Sequence, residues 1–229
     1  MSTENSRPSK AEQQALVHQL VTKIDAQPED YHAYYDLIVL LTAGQDFEQA
    51  EALAMKALGK FEPQPAAADL MRYALGNVYY QAQAYDKALP FYQQITDTKL
   101  KGDAYLMMAQ SLMAQQDYQH ALVYAITAQE QQPALVDANL LVADILLALG
   151  NNAQAYDYYQ KVIQLDDQQG PAYFKAGLTA MVIGKPYADL FAKAEKVDAK
   201  YFKAHQQQLT EIEKTLQAQR PDQSDASQN

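Results

Sequence analysis

Along residues 73–95, YALGNVYYQAQAYDKALPFYQQI, small, apolar and tyrosine positions recur every three or four residues on both sides of a short polar break. That is the spacing of one face of an α-helix, so the stretch predicts two helices joined by a tight turn. The pattern returns along the chain, with the alanine of the second helix at Ala50, Ala88, Ala121 and Ala155, at intervals of 38, 33 and 34 residues. Intervals of this length indicate stacked helical hairpins, each too small to bury its apolar face and completed by its neighbours. The first interval is longer because EPQPAAA (62–68) inserts a loop, where Pro63 and Pro65 block helix continuation.

Aligning the hairpins gives a register. The leading bulky position reads Tyr34, Arg72, Tyr105, Asn139 and Tyr173, and the small position Ile38, Gly76, Ala109, Ala143 and Gly177. A further apolar position reads Leu41, Tyr79, Leu112, Leu146 and Ala180; past the turn come Phe47, Tyr85 and Tyr118, then the four alanines. On these residues, over roughly 31–198, the chain resembles the tetratricopeptide repeat (TPR) family, and in particular small bacterial proteins built of such repeats alone. The resemblance implies an all-α solenoid, a TPR-like superhelix of about five repeats with capping helices, and a role in binding other proteins.

The small position is expected to face the second-helix alanine where the helix axes come closest, so that a larger side chain would push them apart. Gly76 costs about 1 kcal/mol of helix propensity, offset by that approach. Tyrosines then fill the wider gaps between hairpins. Pro90 predicts a helix start near Tyr85 or Asp86, which would place the proline close to the first turn, where N–H groups lack intrahelical partners. In the fifth hairpin Asp189 replaces the alanine, with Ala188 one place off, so its second helix is expected to be shifted or shortened.

The ends differ from the repeats. Leu16, Leu20 and Ile24 in 10–26 predict an N-terminal capping helix, and Phe202, Leu209, Ile212 and Leu216 in 200–219 a C-terminal one with a polar outer face. Polar segments 1–9 and 220–229 are expected to be disordered, leaving 10–219 as a single domain with units near 31–63, 69–99, 102–135, 136–169 and 170–198.

Composition narrows the function. A net charge of −10 and a pI near 4.8 argue against nucleic acid and anionic lipid as partners. The start MSTENSRPSK lacks the apolar core of a signal peptide, and the most apolar run, LLVADILLAL, is short and interrupted by Asp144, so no membrane span and a cytoplasmic location are expected. Zero cysteines remove thiolate chemistry and disulfides. His18, His32, His120 and His205 are scattered without ligand spacing, phosphate-loop and nucleophile-elbow motifs are missing, and Ser111 reads as a packed helix residue. Asp166 and Asp167 read as turn residues. No catalytic residue, metal or cofactor is therefore expected.

Helical periodicity leaves one further face of the first helices, turned away from the hairpin partner, and the resemblance makes it a concave groove. It reads Tyr35, Val39 and Thr42; Tyr73, Asn77 and Tyr80; Leu106, Gln110 and Met113; Leu140, Asp144 and Leu147; Phe174, Leu178 and Met181. Apolar, aromatic and Met positions crossed by Asn77, Gln110 and Asp144 suit a peptide or helix of a partner protein. The alternatives are a homo-oligomer using the same surface and a face covered by the C-terminal helix. The family's clamp for a terminal carboxylate needs Lys and Arg beside Asn; only Asn77 matches, so an acidic C-terminal tail is not the expected partner.

Overall fold

The computed structural model describes residues 10–218, without the side chains of residues 10, 213 and 216–218. The segments 1–9 and 220–229 and the Leu216 side chain, about which the sequence carries expectations, lie outside the described residues. Within them the fold is all-α. Helix α1 (Lys10–Ala26) is followed by hairpins α2 (Tyr31–Ala43) with α3 (Phe47–Phe61), α4 (Pro65–Gln81) with α5 (Tyr85–Gln93), and α6 (Thr98–Ala114) with α7 (Tyr118–Gln131). Then come α8 (Val136–Ala148) with α9 (Asn152–Leu165), α10 (Gly170–Val182) with α11 (Ala188–Val197), and α12 (Ala199–Ala218). The helices gather into two compact units, 1–131 and 132–229.

The repeat is visible in the backbone of the turns. In each hairpin the first helix closes with the same pair of bonds: Asp46 N–H to Leu41 O and Gln45 N–H to Thr42 O, both 2.9 Å, recur at Ala84 and Gln83, Asp117 and Gln116, Asn151 and Gly150, and Lys185 and Gly184. This helix ending needs one residue with positive φ. Gly150 (77°) and Gly184 (73°) supply it without steric cost, whereas Gln45, Gln83 and Gln116 adopt 63°, 59° and 64°. Aspartates then start many of the helices: Asp30, Asp46, Asp97, Asp117 and Asp198 accept hydrogen bonds from first-turn N–H groups of α2, α3, α6, α7 and α12. Much of the acidity is thus placed at helix N-termini, where it is stabilising.

Glycine at the small position has a different cause from the expected approach of the second-helix alanine. A Cβ on Gly76 would lie 2.4 Å from the ring of Tyr92, four residues beyond Ala88, and one on Gly177 would lie 2.7 Å from the ring of Phe191. The glycines seat aromatic rings inside their hairpins. Gly76→Ala is therefore expected to destabilise by about 1–3 kcal/mol through overpacking, against a propensity gain of about 1 kcal/mol. A denaturant midpoint equal to or above wild type would show that Tyr92 can move aside.

Two irregularities follow local chemistry. Helix α5 starts at Tyr85, as the sequence predicts, but Pro90 is its sixth residue, one turn too late to escape without loss. The proline cannot donate to the Asp86 carbonyl, and the helix ends early, at Gln93. Helix α11 begins two residues later after its turn than the other second helices and spans only 10 residues. Its packing register moves with it, so that Phe191 fills the place that Tyr92 takes in the second hairpin.

In the first unit α1 packs on α2, and the first helices α2, α4 and α6 lie side by side, each also packed on its own second helix. Their core holds Ile38, Phe61, Met71, Leu75, Tyr92 and Met108. Asp69, 1% exposed, is built into it: its carboxylate accepts from Thr96 N–H (2.8 Å), Thr96 Oγ1 (2.8 Å), Asp97 N–H (2.7 Å) and the Arg72 guanidinium (2.7 Å). In the second unit α10 packs on α9, α11 and α12, around Tyr173, Phe174, Leu178, Met181, Phe191 and Phe202.

Candidate functional site

The row of first helices in the first unit borders a cleft of about 690 Å³. Helix α2 contributes Tyr35, Val39 and Thr42, all expected on this face; α4 contributes Tyr73 and Asn77, also expected. The cleft is completed by Gln13 from α1 and Met107 from α6, neither of which periodicity had placed there. Val39 is 43% exposed, and Tyr35, Tyr73 and Asn77 are half-buried. Tyr80, Leu106, Gln110 and Met113 are half-buried but do not line this cleft; Tyr80 sets its ring edge-on to Tyr85 at 5.6 Å.

Asn77 has a structural duty besides lining the cleft. The Tyr92 hydroxyl, seated over Gly76, donates to Asn77 Oδ1 at 2.8 Å. Burial, and then the neighbouring Tyr73, Tyr80 and Tyr35, push the Tyr92 hydroxyl far above the ordinary phenol range. Burial also pushes Tyr73 up to about 12, helped by Asp103 and Tyr35 and opposed by a hydrogen bond from Asn77. These tyrosines stay neutral donors and acceptors at any physiological pH.

The second unit differs. Leu140, Asp144 and Leu147 are half-buried. Asp144 accepts from the Tyr159 hydroxyl at 2.6 Å, and both of its oxygens lie 2.8 Å from Lys175 Nζ. Its polar position in the row therefore serves the fold: it meets a buried tyrosine of its own hairpin and a lysine of the next. Phe174 (1% exposed), Leu178 and Met181 are not on an open face. Helix α12 lies over α10 and packs Phe202, Leu209 and Ile212 against them, so these three residues are core.

Among the described residues no group of three or more His, Asp or Glu side chains is arranged to hold a metal ion, and no helix is long and apolar enough to cross a membrane. His18, His32 and His120 are exposed, while His205 stacks on Tyr201 at 3.9 Å. The Ser111 hydroxyl is turned back onto the Met107 carbonyl at 2.7 Å.

The family model for the tetratricopeptide repeat matches residues 40–102 and 106–170, more than half of the chain. The chain belongs to the tetratricopeptide repeat family. Its TPR fold is similar to that of YrrB, described as "a TPR protein with an unusual peptide-binding site": TM-score 0.63, 21% identity, covering 84% of this chain and 99% of YrrB. MamA is also similar, with TM-score 0.62 and 18% identity over 77% of this chain and 96% of MamA. No curated protein matches the sequence. At these identities the likeness is one of fold, and TPR proteins act in general as non-catalytic scaffolds for other proteins.

Proposed function

We propose that this TPR protein is a non-catalytic interaction module that binds an extended or helical segment of a partner protein in the cleft of its first unit. The observation that carries this reading is the cleft itself: about 690 Å³, with Tyr35, Val39, Tyr73, Asn77 and Met107 along it and Val39 still 43% exposed. Exposed apolar and aromatic surface in a concave site is uncommon unless something docks there, and an amide among apolar pockets can bond a peptide backbone. The corresponding face of α10 lies under α12, which removes Phe174, Leu178 and Met181 from the proposed surface. The peptide-binding site attributed to YrrB supports the class of ligand, though not its identity.

The test is binding of a random decapeptide library by the full chain, compared with Val39→Lys combined with Met107→Lys. Lysines at these positions can carry their ammonium groups to water and should spare the helices. Two lost apolar contacts of about 1.5–3 kcal/mol each are enough to take a micromolar peptide beyond detection. A variant with unchanged helical content that retains its peptides would move the binding surface elsewhere.

A further inference from the structure

Five residues after the leading position, the second and fourth hairpins carry the same pairing: Tyr92 donates to Asn77, and Tyr159 to Asp144. They differ in what meets the rest of that polar group. In the fourth hairpin Lys175, two residues after the leading Tyr173, comes in from the next first helix and lies 2.8 Å from both Asp144 oxygens. The residue at that place beyond Asn77 is Met107, two residues after Tyr105, whose side chain has no N–H to offer. Asn77 and Met107 both line the cleft of the first unit. A polar group that is closed within the protein in one unit is thus left at a cleft in the other.

Tyr92 decides which edge of the Asn77 amide is left for the cleft. Its hydroxyl belongs to a buried side chain, keeps its proton, and among the described residues has Asn77 Oδ1 as its one acceptor, at 2.8 Å. Turning the amide over would set N–H against O–H and leave the phenol proton buried without an acceptor, a penalty larger than the usual net gain of a hydrogen bond. The oxygen edge is therefore taken, and the edge that remains is Nδ2 with its two N–H donors. One of these turns to the Tyr73 hydroxyl; the other has no partner among the described residues. We propose that Tyr92, outside the cleft, is a positioning residue that holds Asn77 as a donor, and that the bound segment answers it with a main-chain carbonyl. The inference rests on the cleft being the peptide site and names the group that the peptide offers there. A carboxylate is disfavoured, because no Lys, Arg or His lines the cleft to balance its charge. A main-chain carbonyl is preferred to an Asn or Gln side chain because placing it costs no side-chain entropy, and an extended segment leaves its carbonyls free where a helix does not.

The experiment uses the full chain and one decapeptide selected from the library, capped at both ends, with each peptide bond replaced in turn by an E-alkene, which keeps the shape and removes the carbonyl. The expected result is one bond whose replacement weakens binding by about tenfold or more. Asn77→Asp keeps the acceptor that Tyr92 needs and puts an oxygen where the donors were. It should weaken the parent peptide by about tenfold or more and leave the peptide with the alkene at that bond within about twofold. Tyr92→Phe keeps the ring over Gly76 and frees the amide to turn. It should weaken the parent by about threefold or more and again spare that alkene peptide, a pattern that loosened packing alone would not give. The scan needs no altered protein, so a variant that fails to fold does not decide the matter. A flat scan, or a peptide in which only an Asn or Gln side chain matters, would overturn the carbonyl contact; loss of binding with Val39→Lys and Met107→Lys would then leave the peptide cleft standing. A folded Asn77→Asp or Tyr92→Phe variant that weakens parent and alkene peptides equally, or weakens neither, would also overturn it. A library from which nothing binds would overturn the peptide cleft, and the carbonyl contact with it.

Discussion

Replacing Asp69 by alanine is expected to destabilise the first unit by about 3–5 kcal/mol, the cost of stripping one partner from a buried charged pair. The side chain is 1% exposed and gathers four donors: the Arg72 guanidinium, two successive backbone N–H groups and the Thr96 hydroxyl. Truncation would leave all four facing a void that water reaches poorly, each with its own desolvation penalty. The loss would spread beyond α4. Thr96 and Asp97 form the link from α5 to α6, and Asp97 in turn caps α6 through the N–H groups of Lys99 and Leu100. Asp69 therefore fixes where the next hairpin begins. Chemical denaturation of the variant against wild type checks the magnitude, and a shift below about 1 kcal/mol would mean that the link holds its shape unaided.

The same carboxylate gives a pH dependence of known sign. Burial acts to raise its pKa, but hydrogen bonds from Asp97, Thr96 and Arg72 outweigh it, and the net shift is downward. A folded-state pKa below the unfolded one means that the unfolded chain binds the proton first. The stabilisation is then fully present above the ordinary aspartate value near 3.9 and lost as pH falls through the folded value. The stability gap between wild type and Asp69→Asn should be flat at neutral pH and close only in that acid window.

How much of this was legible can be judged residue by residue. The hairpins follow from period and small-residue spacing, because those depend only on helical geometry and on what fits between helices. The start of α5 at Tyr85 and the packed role of Ser111 follow in the same way. What periodicity does not encode is the partner of a polar side chain. Arg72 and Asn139, the two departures from tyrosine at the leading position, each serve a link between helices: Arg72 pairs within α4 with Asp69, which holds the link to α6, and Asn139 Nδ2 donates to the Pro133 and Leu135 carbonyls before α8. Asp144 reads as a cleft residue until Lys175 is seen to pair with it from the next hairpin. The signal existed, since Lys175 lies one repeat on and one turn back, but an exposed-looking lysine carries no mark of its partner. Periodicity counted from the leading bulky position puts Leu106 on this face, whereas its neighbour Met107, about 100° round α6, is the residue that lines the cleft. The face of α10 could not be read at all from its own helix, since what decides its exposure is α12, some 25 residues further along.

Phe202→Ala measures that last contact and carries the other large effect, an expected loss of about 3–5 kcal/mol from the second unit. Phe202 is the buried anchor of α12. Its ring meets Phe174 edge-on at 5.8 Å and Phe191 at 6.4 Å, while Tyr201 meets Phe174 at 5.8 Å from the neighbouring position. Removing it leaves a cavity that the three remaining rings cannot close without abandoning their edge-to-face geometry. The rest of α12 has less to hold it, because its outer face is Lys, Gln and Glu and, among the described side chains beyond His205, its inner face continues through Leu209 and Ile212. Hydrogen exchange should therefore quicken first in α12 and then in α10, and a dye that reports apolar surface should bind as Phe174, Leu178 and Met181 are uncovered. Lys203→Ala, one residue away but exposed, should stay within about 0.5 kcal/mol of wild type. Unaltered protection of α10 in the Phe202 variant would mean that α12 is not what covers this face, and would return Phe174, Leu178 and Met181 to the surface available to a partner.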